Sequence, residues 1–386
     1  MKIMYMEWPS YGREDVKQAF RQEGHCVVEF RFPIDTKFDV GVAELEGDFA
    51  SALGREAPDM VFSVNYFPVI SELCSRHGIR YISWIYDGPY RWLFHRSAYN
   101  SCNKIYVFDT QLYLECRRMG MSTVHYLPLA ADTWRLDQTI GDPAEISYEY
   151  DVSFVGSLYL EKCRRFMEME EALPDYARGY LEGLVASQMK IEGYNFIQEL
   201  LGPVIGDLCK AYPVYYEPGG IESREYVYAQ YIINEWVTAM ERVDLLETIA
   251  RDHKVDIFTK YLDISVEGVR LHGPVDYTRQ MPLVFRQSRI NLNFTRRGIH
   301  SGIPLRAMDI LGSGGFLLSN FQADFLEHFV PGEDFVFYES KEDLVQKVDY
   351  YLDHEAERQA IARSGHDKVA AAHTYRHRVR EMLDAL

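Results

Sequence analysis

The feature that most constrains this chain is an alternation, met twice along its length. Short apolar runs of strand character are separated by stretches of helical spacing. In the first third, strands are predicted at Lys2–Met6, Cys26–Phe30, Asp59–Val64, Ile79–Tyr86, Lys104–Phe108 and Val124–Leu127. Helices are predicted at Glu14–Gln22, from Pro68 to His77, and after Asp109, which is placed to cap the last of them; Gly24, Gly78 and Gly120 end them. Residues 132–150 are polar and aperiodic, with Gly141, Asp142 and Pro143, and read as a linker. Asp151–Val155 opens a second series, resumed at Val255–Thr259, Val269–His272, Ile290–Phe294, Phe316–Ser319 and Val336–Tyr338. Between the opening strand and the rest, residues 161–250 are mostly helical. Strands alternating with helices imply parallel, doubly wound sheets, here in two domains joined by a linker with a cleft between them.

A chain of 386 residues exceeds what one core usually supports, which agrees with two domains. No apolar run reaches the ~20 residues of a membrane span, and the N-terminus does not read as a secretory signal. Fifty-eight acids against 41 Lys plus Arg give a net charge of −17, which argues against a nucleic-acid partner. The six cysteines are scattered, with no C-x-x-C and no zinc-like spacing to His, as expected of a reducing cytoplasm.

In open α/β sheets, ligands sit beyond the carboxyl ends of the strands, so the loops after each strand carry the chemistry. None of them holds G-x-G-x-x-G, and G-x-x-x-x-G-K-[ST], H-E-x-x-H and G-x-S-x-G are absent. The segment TRRGIHSGIPLRAMD, residues 295–309, is different. Arg296 and Arg297 follow a strand directly. Ser301-Gly302-Ile303 lead into a helix with Pro304 in its first turn, whose free N–H groups suit an anion. Arg306 and Asp309 share a face of that helix. Either they form a structural ion pair, or the face meets a ligand, with Asp309 accepting from ribose hydroxyls. Arg296 and Arg297 are each open between phosphate binding and solvated charge.

The runs IPLRAMDILGSGGFLLSN, VPGEDFVFYESKEDLVQKVDYYLDHEAERQAIARSG and HTYRHRV resemble the C-terminal domain of bacterial spore maturation proteins of the CgeB type, within the glycosyltransferase 1 and 4 like group. The resemblance covers roughly residues 255–380 and extends weakly over the N-terminal half, where VHYLPLAAD (125–132) looks like a domain-closing segment. It implies a GT-B fold: an α/β chain with two facing Rossmann-like doubly wound domains and a helical insert in the C-terminal half. The expected layout is an acceptor domain over 1–131, the linker 132–150, a nucleotide-sugar domain over 151–372 with insert 161–250, and a helix over 373–386 crossing back to the first domain.

The resemblance further implies a glycosyltransferase moving a sugar from a nucleoside diphosphate, UDP favoured, to a glycan or protein, without metal or other cofactor. In retaining relatives a Glu-x7-Glu motif spans this helix. Its second Glu, the ribose ligand, falls on Asp309; its first falls on Ser301, which cannot carry charge. Gly156-Ser157 match the diphosphate loop and Gly273-Pro274-Val275 the base loop. With Asn293, Arg297, Ser301, Gly302, Ile303, Arg306 and Asp309 they make up the expected donor site. Arg306 is expected to offset the diphosphate. Asp87, ending a strand, is the candidate general base, or else an Asp-Gly-Pro turn residue. Tyr11, Tyr66, Tyr86 and Tyr90 are expected on the acceptor side. A sugar-nucleotide epimerase and a non-catalytic glycan-binding protein are the alternatives, and a homodimer is left open.

Overall fold

The computed structural model describes residues 1–31, 42–141, 147–216 and 218–386. The chain divides into two compact units. The first comprises Met1–Ala130, Tyr216–Glu222 and His373–Leu386; the second comprises Ala131–Tyr215 and Ser223–Ala372.

The first unit holds a parallel sheet of six strands: β1 (Lys2–Glu7), β2 (Cys26–Arg31), β3 (Met60–Val64), β4 (Arg80–Trp84), β5 (Asn103–Val107) and β6 (Val124–Tyr126), in the order β2-β1-β3-β4-β5-β6. Every residue of β3 is buried, which is why MVFSV carries no polar alternation: a parallel strand is covered on both faces. The connecting helices start and stop on readable signals. Pro68 opens the helix Pro68–His77, and Gly78 closes it at φ 63°. Asp109 caps Thr110–Arg118 by accepting from Leu112 N at 3.0 Å. The helix Tyr375–Asp384 packs on the helix Arg13–Gln22. There Arg376 and Arg380 both donate to Glu23, at 2.8 and 2.6 Å, and Arg378 Nε donates to Pro128 O at 2.9 Å. Residues 216–222 reach the first unit as a short excursion, with Ile221 N on Phe94 O at 2.9 Å and Arg91 on Glu222 at 3.1 Å.

The second unit holds β7 (Tyr150–Val155), β8 (Val255–Phe258), β9 (Arg270–His272), β10 (Ser288–Asn293), β11 (Leu317–Asn320) and β12 (Val336–Tyr338). All pairings are parallel, in the order β9-β8-β7-β10-β11-β12. This is the dinucleotide-fold order, 3-2-1-4-5-6, and it reverses between β7 and β10. The turn Ser313-Gly314-Gly315 is dictated by packing: Gly314 has φ +66°, and a Cβ on Gly315 would lie 2.8 Å from Asn291 Nδ2. Helices between Arg164 and Ala250 bury a second, separate core around Phe166, Leu181, Ile197, Leu208, Tyr228 and Ile233.

The segment 132–150 is not simply a linker. Thr133–Ile140 is a helix capped by Asp132, which accepts from Arg135 N at 3.1 Å, and Thr133 and Leu136 bury its inner face. All six cysteines are free. Among the described residues no helix is long and apolar enough to cross a membrane.

Candidate functional site

The reversal point of the second sheet sits where β7 runs into Gly156-Ser157 and β10 into Phe294-Thr295-Arg296. Here the described residues gather a cationic cradle. Arg242, from the helix Asn234–Ala250, is buried and donates to Ser157 O and Phe294 O, so it ties the two strand ends together. Its guanidinium lies 5.4 Å from the Phe154 ring and 4.9 Å from the Tyr159 ring. Arg296 covers Tyr159 at 4.7 Å and Lys162 at 5.1 Å, so one ring is met by three cations. Burial pulls the Arg242 guanidinium down to about 10, with the neighbouring Arg296 charge adding to the shift.

One buried carboxylate holds the cations in place. Glu235 Oε1 accepts from Lys162 at 3.0 Å and Arg296 at 3.2 Å, and Oε2 lies 4.0 Å from Arg165. Local structure puts Glu235 there. The helix passes through a π-turn at Ala229–Ile233 just before it, and the same turn brings Gln230 to His300 at 2.9 Å. Lys162, Arg165, Arg242 and Arg296, against Glu235 and against Glu161, which accepts from Ser157 Oγ at 3.2 Å, leave an excess of positive charge at the sheet's crevice. Three of these cations, with Tyr159 and Glu235, lie outside the site expected from the sequence.

The expected donor residues divide on inspection. Gly156 and Ser157 line the crevice: Gly156 N donates to Phe258 O at 3.0 Å, and Ser157 Oγ accepts from Tyr159 N at 3.0 Å. Asn293 is buried, donating to Ser319 Oγ at 2.9 Å and Thr295 Oγ1 at 3.1 Å, so it braces the strand end. Ser301, Gly302 and Ile303 are buried ahead of the helix Leu305–Gly312, and Ser301 O accepts from Asp324 N at 3.0 Å. Pro304 caps that helix rather than entering its first turn.

Asp309 is 5% exposed and accepts from Tyr277 Oη at 2.9 Å. Tyr277 and Val275 belong to the loop after β9, so Asp309 and the Gly273-Pro274-Val275 loop adjoin. That places the residue expected to hold ribose beside the loop expected to meet the base.

Two expectations are corrected. Arg297 does not offer its guanidinium to a ligand. It forks onto Glu241, with Nε to Oε2 at 2.7 Å, meets Glu192 at 3.0 Å and donates to Ile191 O at 2.8 Å. Two tendencies oppose at Glu241: burial pushes its carboxyl up and Arg297 pulls it down, which leaves it raised to about 7. The bidentate geometry and the raised Arg297 decide for an ionised pair. Arg306 forms the ion pair with Asp309, at 3.4 Å, and turns onto the helix Met281–Gln287, with Met281 Sδ as neighbour and the Phe285 ring at 5.6 Å. There it packs and pairs with Asp309.

In the first unit the sheet order reverses between β1 and β3. Asn65, at φ 61° just after β3, donates to Asp87 Oδ2 at 2.7 Å and accepts from Tyr86 N at 2.8 Å. Asp87 is exposed and its carboxylate is thereby held near that reversal point. Tyr11 is exposed. Tyr66 and Tyr90 are core residues instead of surface contacts: Tyr66 Oη pairs with Ser97 Oγ at 2.7 Å, and Tyr90 Oη donates to Tyr66 O at 2.7 Å. Tyr86 is half-buried, its ring edge-on to Trp84 at 4.9 Å, and its hydroxyl is enclosed. Among the described residues, no three His, Cys, Asp or Glu side chains cluster as metal ligands would.

Comparison with known proteins agrees with this fold. A sequence family described as "Glycosyl transferase-like" matches residues 242–384. No curated protein sequence matches. Among solved structures, sucrose-phosphate synthase from Thermosynechococcus elongatus superposes with TM-score 0.57 at 8% identity, over 100% of this chain and 98% of that one. Anabaena Alr3699/HepE, solved in complex with UDP-glucose, gives 0.54 at 9% identity over 100% of both chains. A glycosyltransferase from Rickettsia africae gives 0.52 at 10%, over 100% of this chain and 97% of its own. These likenesses are of fold: two Rossmann-like units of the GT-B type, with a helical insert in the C-terminal half.

Proposed function

We propose that the protein is a glycosyltransferase that takes a sugar from a nucleoside diphosphate. The observation that carries this reading is the Arg242–Arg296–Lys162 cradle around Tyr159, at the point of the second sheet where the strand order reverses. A ligand there meets concentrated positive charge in a chain whose net charge is −17. A diphosphate fits that charge, and Asp309 beside the 273–277 loop fits a ribose and base attached to it. In the reaction the bond between the sugar's anomeric carbon and the diphosphate breaks, and a bond to an acceptor oxygen forms. The charge left on the diphosphate is met by Arg296 and Lys162, which Glu235 preorganises, at strand ends that Arg242 ties together. The acceptor's proton goes to a base, for which we assign Asp87. The donor is read as a UDP-sugar, the acceptor as a glycan or protein, and the setting as cytoplasmic.

Calorimetric titration of UDP, GDP and dTDP into the protein tests the donor site. Tight binding of one of them is expected, weakened at least tenfold in Asp309→Ala, about 1.4 kcal/mol. Absence of binding by all three would remove the reading. Release of free nucleotide from the matching nucleotide sugar, dependent on added acceptor, separates transfer from acceptor-independent epimerisation or hydrolysis.

A further inference from the structure

A cavity of about 770 Å³ opens in the second unit at the amino ends of its strands, away from the carboxyl ends that carry the cradle. Tyr148 lies just before β7, Ser288 is the first residue of β10, and Phe316 immediately precedes β11; all three line it. Its volume is in the range of small-molecule sites, roughly 300–1,000 Å³. Among the described residues its lining holds four arginines, Arg286, Arg289, Arg358 and Arg363, against one aspartate, Asp137. That excess contrasts with a chain that carries 17 more negative than positive charges.

The arginines are under-used by the protein itself. Arg358 is 1% exposed, yet among the described residues its Nε and Nη2 have no hydrogen-bond partner, and Nη1 meets the Tyr351 carbonyl. A buried guanidinium without a counter-charge is costly unless something supplies acceptors. Ser313 Oγ, also in the lining, is buried and unpaired. Arg286 is spent on one carbonyl, Gly314 O, at 2.6 Å. Arg289 is only loosely balanced, by Asp151 at 3.4 Å and Glu355 at 3.6 Å, and Asp137 is bonded to His366 at 3.1 Å. Tyr148 floors the group, with Arg289 at 5.1 Å and Arg358 at 5.2 Å from its ring. Planar guanidinium forks fixed by one aromatic ring, with a spare hydroxyl beside them, are the partners a tetrahedral oxyanion requires.

We infer that this cavity is a second binding site, for a small molecule bearing a phosphate group, separate from the donor crevice. Arg358, Arg286 and Ser313 hold the phosphate, and the space beyond it takes the body of a sugar-phosphate-sized ligand.

The test is calorimetric titration of glucose 6-phosphate and, separately, inorganic phosphate into the full chain and three variants. Saturable one-to-one binding of at least one probe is expected, weakened at least tenfold in Arg286→Gln and Arg358→Met and unchanged in Arg296→Met. Arg286→Gln removes one carbonyl contact of a half-buried side chain, so it keeps the test open if Arg358→Met fails to fold. Tighter binding of the sugar phosphate identifies an organic ligand, and equal binding identifies the phosphate group alone as what is read; both support the site. No saturable binding of either probe overturns it. So does binding that survives Arg286→Gln but falls in Arg296→Met, which would place the phosphate in the donor crevice.

Discussion

Replacing Arg296 by Met separates the phosphates of a nucleotide from its base. In the free protein Arg296 is 19% exposed, 3.2 Å from Glu235 and over the Tyr159 ring. Glu235 keeps Lys162 at 3.0 Å when Arg296 is removed, so no carboxylate is stranded. The loss to folding should then be that of a partly exposed ion pair, about 0–1 kcal/mol. A diphosphate in the crevice takes a charge-assisted hydrogen bond from Arg296, and such bonds contribute about 1.5–3 kcal/mol. At 1.4 kcal/mol per tenfold, UDP affinity should fall about 10- to 150-fold. Uridine, which has no phosphate, should bind the variant and the parent alike. Isothermal titration with UDP and uridine, alongside urea unfolding, reads all three quantities. Equal weakening of UDP and uridine, or a UDP affinity within about threefold of the parent, would refute a phosphate site at Arg296.

Gly365→Ala places a Cβ 2.8 Å from Leu311 Cδ2 and closer still to the Asp334 carbonyl, which cannot step aside. The expected cost is about 1–3 kcal/mol in urea unfolding, and a change below ~0.5 kcal/mol would show the helix contact to be slack. Glu23 is held below the usual carboxylate range by hydrogen bonds from Arg380 and Arg376, against the opposing effect of burial. A lowered carboxyl stabilises the fold above its unfolded pKa and loses that contribution as pH falls through the folded value. Glu23→Gln should therefore be less stable by about 0.5–1 kcal/mol at pH 7, with the two unfolding curves converging below about pH 4; parallel curves would contradict the linkage. Asp87→Asn should lower turnover of a nucleotide sugar with acceptor by about 100-fold or more while leaving nucleotide affinity unchanged, and undiminished turnover would remove Asp87 as the base.

The strands are legible in the sequence because buried parallel strands are continuous apolar runs, as in MVFSV of β3. The helix Thr133–Ile140 is not, since eight residues with two buried positions give too little periodicity to set against Gly141 beyond them. Asp132 is its one readable mark. A position after a strand suggests a ligand-facing residue, but the end of a strand does not say where a ring points: Tyr66 turns inward to Ser97, and Tyr90 to the Tyr66 carbonyl. Of two adjacent arginines, Arg296 enters the cradle and Arg297 leaves it for Glu241. Arg242 has no local signal, because its meaning comes from a carbonyl 85 positions away at Ser157. Lys162 follows the loop after β7, and there a basic residue is the available clue.

The division of the chain bears on how it is made. The first unit needs residues 373–386, whose helix packs on Arg13–Gln22 and whose Arg378 bonds the Pro128 carbonyl. A ribosome adding about 5–20 residues per second needs roughly 12–50 s to go from residue 130 to residue 373. The sheet of the first unit therefore waits, synthesised but lacking its closing helix, while the whole of the second unit emerges. The part of the protein made first is the part that can finish folding last. Cutting the chain at any single point between the units would leave that early-made sheet without the segment that seals it.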